Sequence, residues 1–210
     1  MTYPRIYSLS TAGILRHYNQ DYLIHETRTD FTGSNGIGKS MIADFLQIIF
    51  IPYRNLIKFG TEGINNSRRL SELPYQMSEA YIFMNIEVSQ DKFIAVGTCI
   101  SQSENRPPTP FAILNDVDTH KRLSELSYSA DHIPLHSHFI ESKRVIDLTD
   151  LARHFRDNYQ LFLTTYGTRE KKDEFFSFLY NQEILPINLS IEVKWSLMSR
   201  PKNAENKILL

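Results

Sequence analysis

Three observations along the chain predict an α/β fold. A β-rich run, a glycine-rich loop and an apolar helix follow one another without a gap between Tyr22 and Ile51. Two further β-rich runs flank a four-residue polar turn, and from Asp147 onward the apolar residues recur at near-helical spacing.

In the first region, to about residue 75, Tyr22 to Phe31 carries β-formers and reads as a strand that delivers the loop at its C-terminal end. Ser40 to Ile51 reads as a helix closed by Pro52. Its apolar residues lie on nearly every face, with only Asp44 and Gln47 interrupting, so it belongs between layers or under a partner. Residues 54–69 form a polar, basic connection. A second region, 76–140, opens with a hairpin of Glu79–Val88 and Phe93–Ile100 around Ser89-Gln90-Asp91-Lys92. Pro107, Pro108 and Pro110 precede a short strand from Phe111 to Asn115. The third region, 141–210, is read as helical, with Leu148, Leu151, Phe155, Phe175, Phe176, Phe178 and Leu179 on its apolar stripes and a polar tail from Arg200. All three together read as a single incomplete lobe.

The loop itself, Thr32-Gly33-Ser34-Asn35-Gly36-Ile37-Gly38-Lys39-Ser40, is a complete G-x-x-x-x-G-K-[ST] phosphate-binding sequence. A loop that wraps phosphates must bring several backbone N–H groups to one point, and Gly33, Gly36 and Gly38 allow that curvature. Lys39 offers a point charge to the β- and γ-phosphates, and the Ser40 hydroxyl suits Mg²⁺. The helix that follows adds its positive N-terminal end. The four fixed positions recur by chance in roughly one chain in a hundred of this length. The candidate nucleotide-binding residues are Gly33, Ser34, Asn35, Gly36, Ile37, Gly38, Lys39, Ser40 and Met41, with Ser40 as the metal ligand; the expected cofactors are ATP and Mg²⁺.

Composition bounds the alternatives. The chain has 210 residues, 41% hydrophobic and 12% aromatic, the profile of a globular protein. A net charge of −1 argues against binding polyanions through charge alone. No apolar run approaches the roughly 18 residues of a membrane span, and the N-terminus lacks a signal-peptide core. A lone Cys99 excludes an internal disulfide and fits a reducing, cytoplasmic setting.

Other candidate chemistry is thinner. Hydrolysis on a phosphate loop also needs an acid at the end of a buried strand. Asp116, after Phe111–Asn115, and Asp147, after Val145-Ile146, are the nearest fits, and Asp116 reads better as a turn residue capping a strand than as a metal-side acid. No Leu-Ser-Gly-Gly segment occurs, and neither does a guanine-reading Asn-Lys-x-Asp. His132, His136 and His138, with His120 nearby, lie close enough to suggest a metal, although Pro134 and the flanking polar residues read as an exposed loop.

The run Gly33-Ser34-Asn35-Gly36-Ile37-Gly38-Lys39-Ser40, followed by Ile42, Asp44 and an apolar helix, resembles the N-terminal head segment of SMC-like ATPases of the ABC superfamily. These include chromosome-maintenance, DNA-repair and bacterial defence proteins. In that family the phosphate loop lies in one half of the head, and a coiled coil separates it from a second half carrying the signature and the acidic strand. The resemblance implies a P-loop NTPase half-domain with an antiparallel β-lobe and a helical C-terminal part. It further implies a complementary ATPase half or partner subunit, and DNA as the target. The family's Mg²⁺-reaching glutamine has three candidates, Gln90, Gln160 and Gln182, and its arginine near the nucleotide has Arg54 and Arg68-Arg69. This chain departs from the pattern in showing no coiled coil, signature or second half, so ATPase activity is expected only with a completing partner. A stand-alone small-molecule kinase remains the alternative, with Arg68-Arg69, Arg153 and Arg156 as its only candidate lid arginines. So does a degenerate chain regulated by nucleotide.

Overall fold

The computed structural model describes residues 3–35, 38–51, 53–54, 57, 59, 69–115, 131–158, 160–164, 169–181 and 183–185. Its centre is a six-stranded, wholly antiparallel sheet. The strands are β1 (Arg5–Ala12), β2 (Gln20–Leu23), β3 (Glu79–Ser89), β4 (Lys92–Ser101), β5 (Thr109–Asn115) and β8 (Gln160–Thr164), in the order β2-β1-β3-β4-β5-β8. A two-stranded ribbon, β6 (Ile140–Glu141) and β7 (Arg144–Val145), stands apart. The helices are α1 (Lys39–Phe50), the single-turn α2 (Leu135–His138), α3 (Leu148–Asp157) and α4 (Arg169–Asn181).

Alternation along β3 sorts the core into two layers. Ala80, Ile82, Met84 and Ile86 face α1 and α4, meeting Met41, Phe45, Ile48 and Ile49 from the first and Phe175, Phe176 and Leu179 from the second. Tyr81 and Phe83 face the other way, toward Phe139 and the α3 residues Leu151 and Phe155. The sheet is therefore covered on both sides, as a strand pair rich in apolar residues at consecutive positions requires. The apolar helix α1 finds its cover inside the chain, from the sheet and α4, and Asp44 is buried with it. Thr98 on β4 donates to the Ile48 carbonyl at 3.1 Å, fixing α1 lengthwise over the sheet.

The β3–β4 hairpin matches the expected boundaries to within a residue or two. Other expectations need correction. The strand expected to run from Tyr22 to Phe31 ends at Leu23; residues 24–34 follow without regular structure. Only β1 lies beside it, and after the Ile24 N–H bonds the Tyr7 carbonyl no further strand among the described residues takes its backbone groups. The third region, 141–210, also contains β7 and β8, with β6 across its start, and β8 falls within the stretch read as helical from Asp147. This last strand closes the far edge of the sheet against β5. The short strand begins at Thr109, so Pro110 lies within it, one residue beyond the part that β8 covers. Among the described residues no helix is long and apolar enough to cross a membrane.

One glycine controls the aromatic layer. Gly97 on β4 sits opposite Phe83 on one side and Phe111 on the other. A Cβ there would lie 2.4 Å from the Phe83 Cβ and 2.6 Å from the Phe111 ring. Phe83 in turn stacks on Phe139 at 4.4 Å. Gly97→Ala is predicted to cost about 1–3 kcal/mol by overpacking, read as a lower urea midpoint with an unchanged slope.

Candidate functional site

The glycine-rich loop leaves the edge of the sheet after β2 and enters α1. Its first residues, Thr32 to Asn35, are exposed. The chain turns back on itself, because Lys39 Nζ donates to the carbonyls of both Gly33, at 2.5 Å, and Ser34, at 2.9 Å. An extended segment would carry Gly33 away from its own lysine, so these two bonds measure the curvature directly. Gly38 closes the loop at φ 100°, in the left-handed region that favours glycine. Its carbonyl accepts the first helical bond, from the Met41 N–H at 2.8 Å.

Gly38 has no side chain with which to cap α1, and no acidic residue lies in the first turn. The early N–H groups of this helix thus receive no hydrogen bond from the side chain of its N-cap residue. The contrast with α3 is sharp. There, Asp147 accepts from the Thr149 and Asp150 N–H groups, and buried Glu79 accepts from the Leu148 N–H at 2.7 Å while pairing with Arg106. Two carboxylates occupy the positive end of α3. At α1 the same end is left to the loop and Lys39. Ser40 is exposed in the first turn, and Met41 is buried beneath it.

Both ends of the loop rest on the β1–β2 hairpin. Tyr22 packs edge-on against Phe31, just before the loop, at 5.7 Å. The Nε2 of His17 bonds the Gly38 carbonyl at 3.0 Å, and its ring meets Phe45 of α1 edge-on at 5.2 Å. His17 lies outside the motif, 21 residues before Gly38, and no pattern in the sequence marked it.

Of the remaining sequence candidates, Gly36, Ile37, Arg68, Asp116, His120 and Gln182 lie outside the described residues. Gln160 ends up on β8 and Gln90 in the β3–β4 turn. Arg54 and Arg69 converge on Glu104, after β4, through its carbonyl and its carboxylate respectively. Arg69 holds that carboxyl below its usual range by hydrogen bond and charge. Asp147 serves as the cap of α3. Arg153 pairs with Asp150, and Arg156 with Asp157, along α3. The Cys99 thiol is buried, and burial pushes its pKa well up, which suits an inert core thiol.

The histidines do not converge. His132 packs on Tyr7, His136 is exposed, and His138 contacts His154 of α3 through Nδ1···Nε2 at 3.0 Å. Among the described residues no group of three or more His, Cys, Asp or Glu side chains is arranged to hold a metal.

No protein-family model matches the chain, and comparison with curated proteins finds no match either.

Two outcomes follow from this geometry. A Cβ on Gly38 would lie 2.5 Å from His17 Nε2, in a backbone conformation already unfavourable for other residues. Gly38→Ala is therefore predicted to lower stability by about 1–3 kcal/mol in urea unfolding. The second concerns acid. Burial, and then the neighbouring His154, lower the pKa of His138 from its usual value of 6.5. Below that value the unfolded chain takes up a proton that the folded His138 resists, so stability is complete above 6.5 and falls as pH drops through it. Melting temperature should fall between about pH 7.5 and pH 5.5, and the fall should be smaller in His138→Gln.

Proposed function

We propose that residues 32–41 are the phosphate-gripping element of an ATP-binding half-head of the SMC-like kind, which acts on DNA together with a complementary half. The observation that carries this reading is the turned-in Lys39, whose ammonium already meets the loop's Gly33 and Ser34 carbonyls. A cation held by neutral carbonyls exchanges readily for a more negative partner, and a polyphosphate is that partner. The uncapped start of α1 supplies N–H donors to the same anion. Mg²⁺ bound with ATP would neutralise phosphate charge, and the exposed Ser40 hydroxyl is this chain's ligand for it.

The fold also supports a shared site. Among the described residues, no strand neighbours the segment before the loop, residues 24–34. In the family that this chain resembles, the second half supplies the strands and the acid that complete the head. A partner half doing so here would offer backbone partners to residues 24–34 and an acid to the site. DNA as the target rests on the resemblance alone. The kinase alternative is less well served, because Arg69, Arg153 and Arg156 are each engaged by a neighbouring carboxylate on the surface.

Titration calorimetry of the purified chain with Mg·ATP tests the reading. Binding is expected, Lys39→Ala should weaken it at least about tenfold, equivalent to about 1.4 kcal/mol, and turnover by the isolated chain should be negligible. Absence of binding, or an affinity indifferent to Lys39, would overturn it. Sustained ATP consumption by the monomer would favour the kinase.

A further inference from the structure

The loop is not free to set its own shape, because a buried imidazole stands against its last glycine. His17 is only 5% exposed, and its position is fixed through the backbone on both sides. Its N–H bonds the Ile14 carbonyl at 3.1 Å, and its own carbonyl accepts from Thr11 Oγ1 at 2.6 Å. The turn that carries it is held in place as well. Gly13, at φ 71°, donates to Asn19 Oδ1, and Leu15 bonds the Leu73 carbonyl.

The two ring nitrogens have assigned roles. A carbonyl only accepts, so Nε2 carries the proton and donates to Gly38. In the neutral ring Nδ1 is then the acceptor, and the Tyr22 hydroxyl donates to it at 2.5 Å. Burial pushes the Tyr22 phenol up, so it keeps the proton it donates. The Tyr22 ring also packs on Phe31, so one dyad touches the chain on both sides of the loop.

We propose that His17, oriented by Tyr22, is the positioning residue that fixes the closing glycine of the loop, so that the β1–β2 hairpin sets how far the loop opens. Its consequence for ligand affinity rests on the phosphate-loop reading above; the mechanical link to Gly38 does not. A partner or ligand that shifts β2, an edge strand, would move Tyr22 and His17 and through them the loop. Neither residue touches the phosphate; both act through Gly38.

Hydrogen exchange of the full chain, paired with Mg·ADP titration, separates the two claims. In His17→Leu the peptide covering 33–41 should exchange about tenfold faster, with the β3 peptide unchanged, and Mg·ADP affinity should fall about tenfold. His17→Gln places an amide N–H near the former Nε2 and should restore both values to near wild type. Tyr22→Phe, which keeps the ring packing and loses one hydrogen bond, should shift both in the same direction by less, and it serves should His17→Leu fail to fold. Loop exchange indifferent to either residue, or His17→Gln as impaired as His17→Leu, would overturn the proposal. Exchange responding as expected in a wild-type chain that binds no nucleotide would uphold the brace and sink the nucleotide reading. Binding that depends on Lys39 while loop exchange ignores His17 would sink the brace alone.

Discussion

The glycine-rich loop before α1 curls back on itself, and an exposed curl of backbone needs something to hold it. Here the lysine does so by bonding the Gly33 and Ser34 carbonyls, and Gly38 allows the return by adopting a conformation that few other residues tolerate. These interactions define a concave turn at the positive end of α1. Everything proposed about function depends on that turn existing, and on Lys39 being able to leave it.

The rest of the fold makes the turn rigid at its exit. α1 is clamped on the sheet by Phe45, Ile48 and Ile49 and by the Thr98 bond to Ile48. Those contacts are buried, and burial of a large apolar side chain contributes roughly 1.5–3 kcal/mol each, far more than an exposed ion pair such as Arg69–Glu104. The hairpin of β1 and β2 reaches the same place from the opposite direction through His17. At its entry the loop is tied more lightly, by the Tyr22–Phe31 ring contact, and its first residues are exposed.

Much of this was legible in the residues. The β3–β4 hairpin announces itself because long β-branched and aromatic runs flank a polar turn, and both faces of those strands are covered. The helix α1 and the loop motif were equally plain. β8 is not legible because five residues between two helical stretches carry no pattern of their own; pairing with β5 makes them a strand. The strand expected before the loop fails for the converse reason, since among the described residues its β-forming residues have no neighbour to pair with past Leu23. His17 is invisible in the sequence because its partner lies 21 residues away, and Asp44 reads as an interruption of an apolar helix although the fold buries it. Local propensity and short motifs could be read from the sequence; contacts made across the fold could not.

The claim that matters most is that this turn receives a polyphosphate, and the most direct test is a crystal structure of the chain with Mg²⁺ and a non-hydrolysable ATP analogue. The account predicts the β-phosphate among the N–H groups of Gly36 to Ser40, with Lys39 Nζ moved off the Gly33 and Ser34 carbonyls onto phosphate oxygen. A nucleotide bound elsewhere, or Lys39 still bonded to those carbonyls at saturating ligand, would contradict it.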